Sequence, residues 1–236
     1  MDGFGIVFLL QVTLEALNGV INSWGLSLMV FAVLFRLLTL PLSIYGSKHQ
    51  TINAQKMEQM KPKIAEIKQQ HQNDPELRDE GILALYKEHG INPLSHAKGC
   101  LPLLIQLPIL FGLFKLIYAW DELKGASFLW IADLSGPDRL FSLGFTLPWF
   151  GDSFNLLPIL MFCAQVIIAR SLRSGKMAGI KTDIKRDNLI YLMPITMTIL
   201  FYPFPSGCML FWTTGNILQI LEQWYINHHL PNSSKA

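Results

Sequence analysis

One arginine stands alone in an apolar run. Between Trp24 and Tyr45 the chain carries no charge except Arg36, about 18 Å along a helix from Trp24. A guanidinium at that depth is costly if it faces lipid, and it cannot easily snorkel back to the interface at Trp24. Thr39 and Ser43 follow at i+3 and i+7, so one face of this segment is polar. Other apolar runs carry polar groups at comparable depth. Gln106 and Gln165 lie in two of them, and Thr213, Asn216, Gln219 and Gln223 form a stripe at helical spacing in a third, with Trp212 beside it. Either glutamine alone could be satisfied by a neighbouring helix. Arg36 is a different case. No Asp or Glu is read at its depth, so the sequence predicts an arginine without a carboxylate partner, served by water, lipid phosphate or a passing anionic ligand. These groups are expected to converge on one hydrated cavity.

The same search excludes much chemistry. There is no HExxH, GxSxG or Gly-rich phosphate loop. No pair of intramembrane carboxylates is read that could cut peptide bonds or relay protons. His49, His71, His89, His96, His228 and His229 all fall in the polar loop or tail. Cys100, Cys163 and Cys208 lie in apolar surroundings without CxxC or metal-ligand spacing, and read as reduced, packed thiols. The chain reads as no enzyme, with no cofactor and no metal site. Asn232 opens a glycosylation sequon, but in a segment assigned to the cytoplasm.

The elements that must position Arg36 follow from composition. Of 236 residues, 51% are hydrophobic and only 15% charged, against about 25% charged in soluble proteins. With a positive mean hydropathy, this excludes an ordinary soluble domain and a disordered chain. Net charge is +2, from 19 basic and 17 acidic residues, too balanced to indicate direct nucleic-acid binding. Four regions are apolar enough to cross a bilayer: 24–45, 99–120, 155–169 and 188–221. The last would make a helix of about 51 Å against about 30 Å of hydrocarbon. Pro203, Pro205 and Gly207 divide it. The expected fold is therefore all-α, a single domain over 1–236 with five transmembrane helices. Its spans are 24–45, 99–120, 155–173, 188–203 and 207–226. An amphipathic helix over 4–20 is expected at the interface, a helical hairpin over 48–92, an outer loop over 121–154, a cytoplasmic loop over 174–187 and a short tail over 227–236. The start, MDGFGIVFLLQ, lacks the basic residue and cleavage site of a signal peptide.

Orientation follows from Lys and Arg. Before the first span there are none, and the successive connections carry eight, two, six and none. The alternation places the N-terminus outside and the C-terminus in the cytoplasm. Trp24, Trp120, Trp130 and Trp149 then fall near the outer interface and Trp224 near the inner one. In the cytoplasmic loop, Met57, Met60, Ile64 and Ile67 form one stripe, and Leu77, Ile82, Leu85 and Tyr86 another, across a turn at HQNDP. Pro62 should kink or break the first helix. The hairpin reads either as a solvated connector or as a docking surface.

Four stretches are recognisable together: FRLLTLPLSIYGSKHQ; QMKPKIAEI with ALYKEHGINPL running into GCLPLLIQLPILFGL; SFLWIADLSGPDRL; and FPSGCMLFWTTGNILQI. In this order they span nearly the whole chain, which resembles the YidC/Oxa/Alb family of membrane protein insertases, its bacterial members most. Two departures are visible. A short insert, Ser95-His96-Ala97-Lys98, interrupts one junction. The chain is also expected to correspond to the core shared across the family, without the extra N-terminal span and large periplasmic domain of many Gram-negative members.

The resemblance implies a chaperone and translocase of the bacterial inner membrane. A positively charged hydrophilic groove, open to the cytoplasm and to lipid and closed to the outside, takes up a client's short translocating segment. Arg36 attracts its acidic residues, and the hydrophobic segment slides along the third and fifth spans into lipid. The implied groove residues are Arg36, Thr39, Ser43, Gln106, Gln165, Trp212, Thr213, Asn216 and Gln219. The implied partners are nascent membrane proteins and the bilayer, with the Sec translocase, the ribosome or signal recognition components meeting the hairpin. The short, weakly basic tail does not read as a ribosome-binding arm. A small solute or ion transporter is the competing reading, but no inverted repeat supplies a counterpart to the Arg-bearing span. A purely structural subunit would need no lone buried arginine.

Overall fold

A computed structural model of the chain describes residues 3–72, 74–90, 101–174 and 189–229. The protein is mostly helical. In chain order come α1 (Gly3–Ile21), α2 (Trp24–Gln70), α3 (Pro75–Glu88), α4 (Leu101–Ala119), a 3-10 turn at Asp121–Leu123, strands β1 (Phe141–Leu147) and β2 (Gly151–Phe154), then α5 (Leu156–Ser174), α6 (Leu189–Phe201) and α7 (Ser206–His229). Among the described residues, one stretch, Trp24–Tyr45, is long and apolar enough to cross a bilayer by itself. Gly5–Ile21, Gln106–Ala119, Leu156–Ser171 and Tyr191–Phe201 are shorter apolar helical stretches.

The longest helix departs from expectation. Ser23 caps α2, its hydroxyl accepting from the Leu26 amide at 3.5 Å. The helix then runs unbroken for 47 residues, about 70 Å, so it continues through the point where a span was expected to end near Tyr45. Pro41 and Pro62 lie inside it. Each removes one i→i−4 bond, yet neither ends the helix, because the flanking residues propagate it. The polar end of α2 packs on α3, Met60 and Leu85 being buried with Ile64, Ile67 and Tyr86 against them. A Cβ on Gly81 would come within 3.1 Å of Ile67, so the glycine permits the close approach. Asp74 caps α3 by accepting from the Glu76 and Leu77 amides at 3.1 and 3.2 Å, with Pro75 in the first turn. The side chain of Met57 lies outside the described residues.

The main core forms where α1, α2, α4, α5 and α7 meet. Leu10 and Leu14 of α1, Leu28 of α2, Leu113 and Ile117 of α4, Met161 of α5 and Phe211 of α7 are buried in one cluster. The expected amphipathic helix at 4–20 is apolar on two faces: α1 buries Leu10 and Leu14 while Phe8, Leu9 and Val12 are exposed. Gln11, Glu15 and Asn18 recur at i, i+4 and i+7, and Gln11 donates to Glu15 at 2.9 Å, so a polar stripe runs beside these apolar residues. Phe31 stacks on Phe211 with ring centroids 5.5 Å apart, which registers α2 against α7.

The connection between α4 and α5 closes one end of the bundle. Leu123, Ile131 and Leu134 are buried there. The Asp138 Oδ2 atom accepts from the Leu156 and Leu157 amides at 2.7 and 3.0 Å, capping α5, and from the Trp130 indole at 3.1 Å. The start of α7 is fastened to the same connection. Ser206 N donates to Gly136 O, Gly207 N to Leu134 O and Ser206 Oγ to Asp133 O. A Cβ on Gly207 would meet Ile117 at 2.9 Å and the Leu134 carbonyl at 3.1 Å, so the Ser-Gly pair fits this junction by size as well as by hydrogen bonding.

This connection also corrects the all-α expectation. Phe141–Leu147 and Gly151–Phe154 pair antiparallel, with Phe141 opposite Phe154 and Ser142 opposite Ser153. The tryptophans expected near the outer interface also take part in packing. Trp24 and Trp120 pack edge to face at 4.7 Å, and both they and Trp130 belong to the core. Trp149, at 58% exposure, faces outward and donates to the Ile199 carbonyl at the end of α6.

Candidate functional site

Arg36 lies one residue beyond Phe35, on the stretch of α2 that packs along α7. Its Nη2 donates to Ser43 Oγ at 3.4 Å and pairs with the carboxylate of Glu222 on α7. Ser43 is seven residues further along α2, about 10 Å of helix. The guanidinium is therefore drawn along the helix toward its polar end, away from Trp24. Snorkelling resolves the depth problem, toward the Tyr45 end of the stretch. The two side chains are 16% and 7% exposed, so the pair is largely shielded from solvent.

Glu222 corrects the expectation that Arg36 has no carboxylate partner. It lies inside the predicted span 207–226, one residue beyond the uncharged run 188–221. A depth count along the helix axis omits the reach of two long side chains, which is how Glu222 meets Arg36. The Arg36 charge is consequently paired with a carboxylate within the protein.

Three other expected residues carry buried atoms without a protein partner. Gln165 Oε1 on α5 and Thr213 Oγ1 and Asn216 Nδ2 on α7 are all buried and make no hydrogen bond, as does Arg36 Nε. Helices α5 and α7 pack extensively on one another. Orphaned polar atoms are rare in protein interiors, where each costs about 1–3 kcal/mol. Four such atoms, one on α2, one on α5 and two on α7, are groups suited to water or to a polar ligand.

The remaining candidates divide. Ser43 joins Arg36 directly. Thr39 turns its hydroxyl back to the Phe35 and Arg36 carbonyls, which satisfies it within α2. Trp212 is buried against Phe201 in the core, ring centroids 4.8 Å apart, and serves packing. Gln106 and Gln219 are half-buried. The expectation of packed thiols holds for Cys208, which is buried, and fails for Cys163, which is exposed on α5. Cys100 lies outside the described residues. Among the described residues no group of three or more His, Cys, Asp or Glu could hold a metal ion.

The profile of the 60Kd inner membrane protein family matches residues 16–233. A membrane protein insertase YidC of Treponema denticola is 37% identical over 221 residues, covering 92% of this chain and 36% of that protein. One of Leptospira interrogans is 34% identical over 227 residues, covering 95% and 34%, and one of Chlamydia caviae 37% over 234 residues, covering 95% and 28%. The chain thus spans about a third of the length of these relatives. A crystal structure of an active YidC insertase, with its first transmembrane domain resolved, superposes at a TM-score of 0.63 with 29% identity, covering 94% of this chain and 45% of that one. With a match over nearly its whole length and a shared helical architecture, the chain belongs to the 60Kd inner membrane protein family.

Proposed function

We propose that this chain is a membrane protein insertase and chaperone of the bacterial inner membrane, working without catalytic chemistry. The observation that carries the reading is the placement of Arg36. A guanidinium rooted in the bilayer-length stretch Trp24–Tyr45 is pulled toward one end of a bundle whose α5 and α7 also carry unsatisfied buried polar atoms. The opposite end is closed by the α4–α5 connection. Such a bundle admits water and a polar chain segment from one side only. Loop charges support the N-terminus outside, the C-terminus in the cytoplasm and five crossings, in which α4, α5, α6 and α7 join the stretch Trp24–Tyr45. The α2–α3 hairpin is then cytoplasmic and faces the ribosome, signal recognition components or the Sec translocase.

In this reading a client's short polar segment enters the region around Arg36, Ser43, Gln165, Thr213 and Asn216 and loses only part of its hydration. Its apolar segment moves along α5 and α7 into lipid. The low-dielectric path is shortened, so the barrier falls without ATP. Complementation of an insertase-depleted bacterium tests it. The intact chain and Arg36→Lys are expected to rescue, and Arg36→Ala to fail at equal expression. A well-expressed intact chain that does not rescue would refute the reading and favour a transporter.

A further inference from the structure

Glu222 has no role in the reading above, although it holds the group on which that reading turns. The contact is one-pointed: Glu222 Oε2 meets Nη2 alone, and the neighbouring Nε is buried without a partner. Arginine binds carboxylates best through two parallel N–H donors, so the resident carboxylate leaves part of the fork unused. Its charge still matters. A guanidinium beside lipid is costly, and a carboxylate in the same shielded pocket offsets that cost at rest.

We propose that Glu222 is a resident occupant of the client-binding arginine, and that an incoming acidic segment gains Arg36 by exchanging with it. The inference rests on the insertase reading and deepens it. The client class is a segment bearing an ionised carboxylate able to engage Nε and Nη2 together, the geometry Glu222 does not use. A neutral segment meets a charge-balanced pair and gains little from it. Exchange also unties α2 from α7 at the polar end, while the Phe31–Phe211 contact and the Ser206–Gly136 bond hold the other end. Glu222 thereby sets how acidic a client must be.

The test uses the full chain in proteoliposomes and two single-span clients that differ only by Asp against Asn in the translocated segment. With wild type, the Asp client inserts faster. Glu222→Gln is expected to raise insertion of the Asp client several-fold and to leave the Asn client little changed, and Glu222→Asp to stay near wild type. If Glu222→Gln instead lowers both clients and Glu222→Asp restores both, Glu222 is only a strut for Arg36 and the proposal is overturned. Wild type inserting neither client would sink the insertase reading itself.

A second measurement then still decides the exchange. Spin labels at Tyr45→Cys and Tyr225→Cys, with Cys100 and Cys163 replaced by serine, report the α2–α7 separation. Adding the Asp client peptide is expected to lengthen it, and the Asn peptide to leave it unchanged. Identical responses to both peptides overturn the proposal. The same labels serve if Glu222→Gln fails to fold.

Discussion

Trp130 and Asp138 form a single joint. The indole donates to the same carboxylate oxygen that caps the first two amides of α5. One atom therefore joins the closing connection to the start of a core helix. Asp138→Ala removes the cap and strands the indole, with an expected loss of about 1–3 kcal/mol. Asp138→Asn keeps an acceptor and is expected to lose less. Denaturant unfolding in detergent, followed by near-ultraviolet circular dichroism of the tryptophans, reads both.

Gly25 is expected to be intolerant of any side chain. A Cβ there would fall 2.1 Å from the Phe128 ring and 2.6 Å from its Cβ. The ring cannot give way without moving the backbone of the closing connection. Gly25→Ala should therefore cost about 1–3 kcal/mol, as overpacking does. Gly25→Ala with Phe128→Ala should lose less than the sum of the two single changes. A thermal-melt double-mutant cycle measures the coupling.

The Arg36–Glu222 pair should show strong non-additivity. Removing either partner leaves a shielded charge uncompensated, at a cost of about 3 kcal/mol or more. Arg36→Ala with Glu222→Ala should be more stable than either single variant, although inactive under the proposed function. Melting temperatures of the four proteins check this, and additive losses would show that the pair contributes no coupling.

Asp133 gives the closing connection an acid limit. Partial burial pushes its carboxyl up, but the hydrogen bonds from the Ser135 hydroxyl and amide and from the Gly125 amide, with the charge of Arg139, draw it net below the ordinary value of 3.8. A lowered folded-state value contributes stability that is fully present above the unfolded value and is lost as pH falls through the folded one. Wild type should therefore lose stability below about pH 4. Asp133→Asn should be less stable at neutral pH and show a shallower acid loss. Melting curves between neutral pH and pH 3 compare them.

Much of this arrangement is legible in the residues. Arg36 stands out because a charge inside an apolar run has few explanations, and Ser43 follows from helical spacing. Asp74-Pro75 marks the start of α3. Glu222 was hidden by treating the end of an uncharged run as the edge of relevance, when side-chain reach and snorkelling decide which charges meet. The β-hairpin had a signal: FSLGFTL alternates apolar residues at every second position. A reading of that connection by charge alone passes over it. The continuity of α2 was obscured because its apolar run ends near Tyr45 and Pro62 was expected to kink or break the polar helix beyond, whereas the helix backbone continues through both. No spacing rule links Ser206 and Gly207 to residues 133–136, because that contact exists only after folding.

The fastening of Ser206 and Gly207 to Leu134 and Gly136 has an electrical consequence. Under the proposed function the bundle is closed at one end and wet at the other, so it has no continuous conducting path. Under the proposed orientation, the membrane voltage falls mainly across the thin closed layer instead of the full bilayer. An acidic client segment drawn as far as Arg36 has then not yet crossed most of that voltage, and the remaining step is short and steep. Polypeptide could be handed across such a layer while protons and salt stay on their own sides.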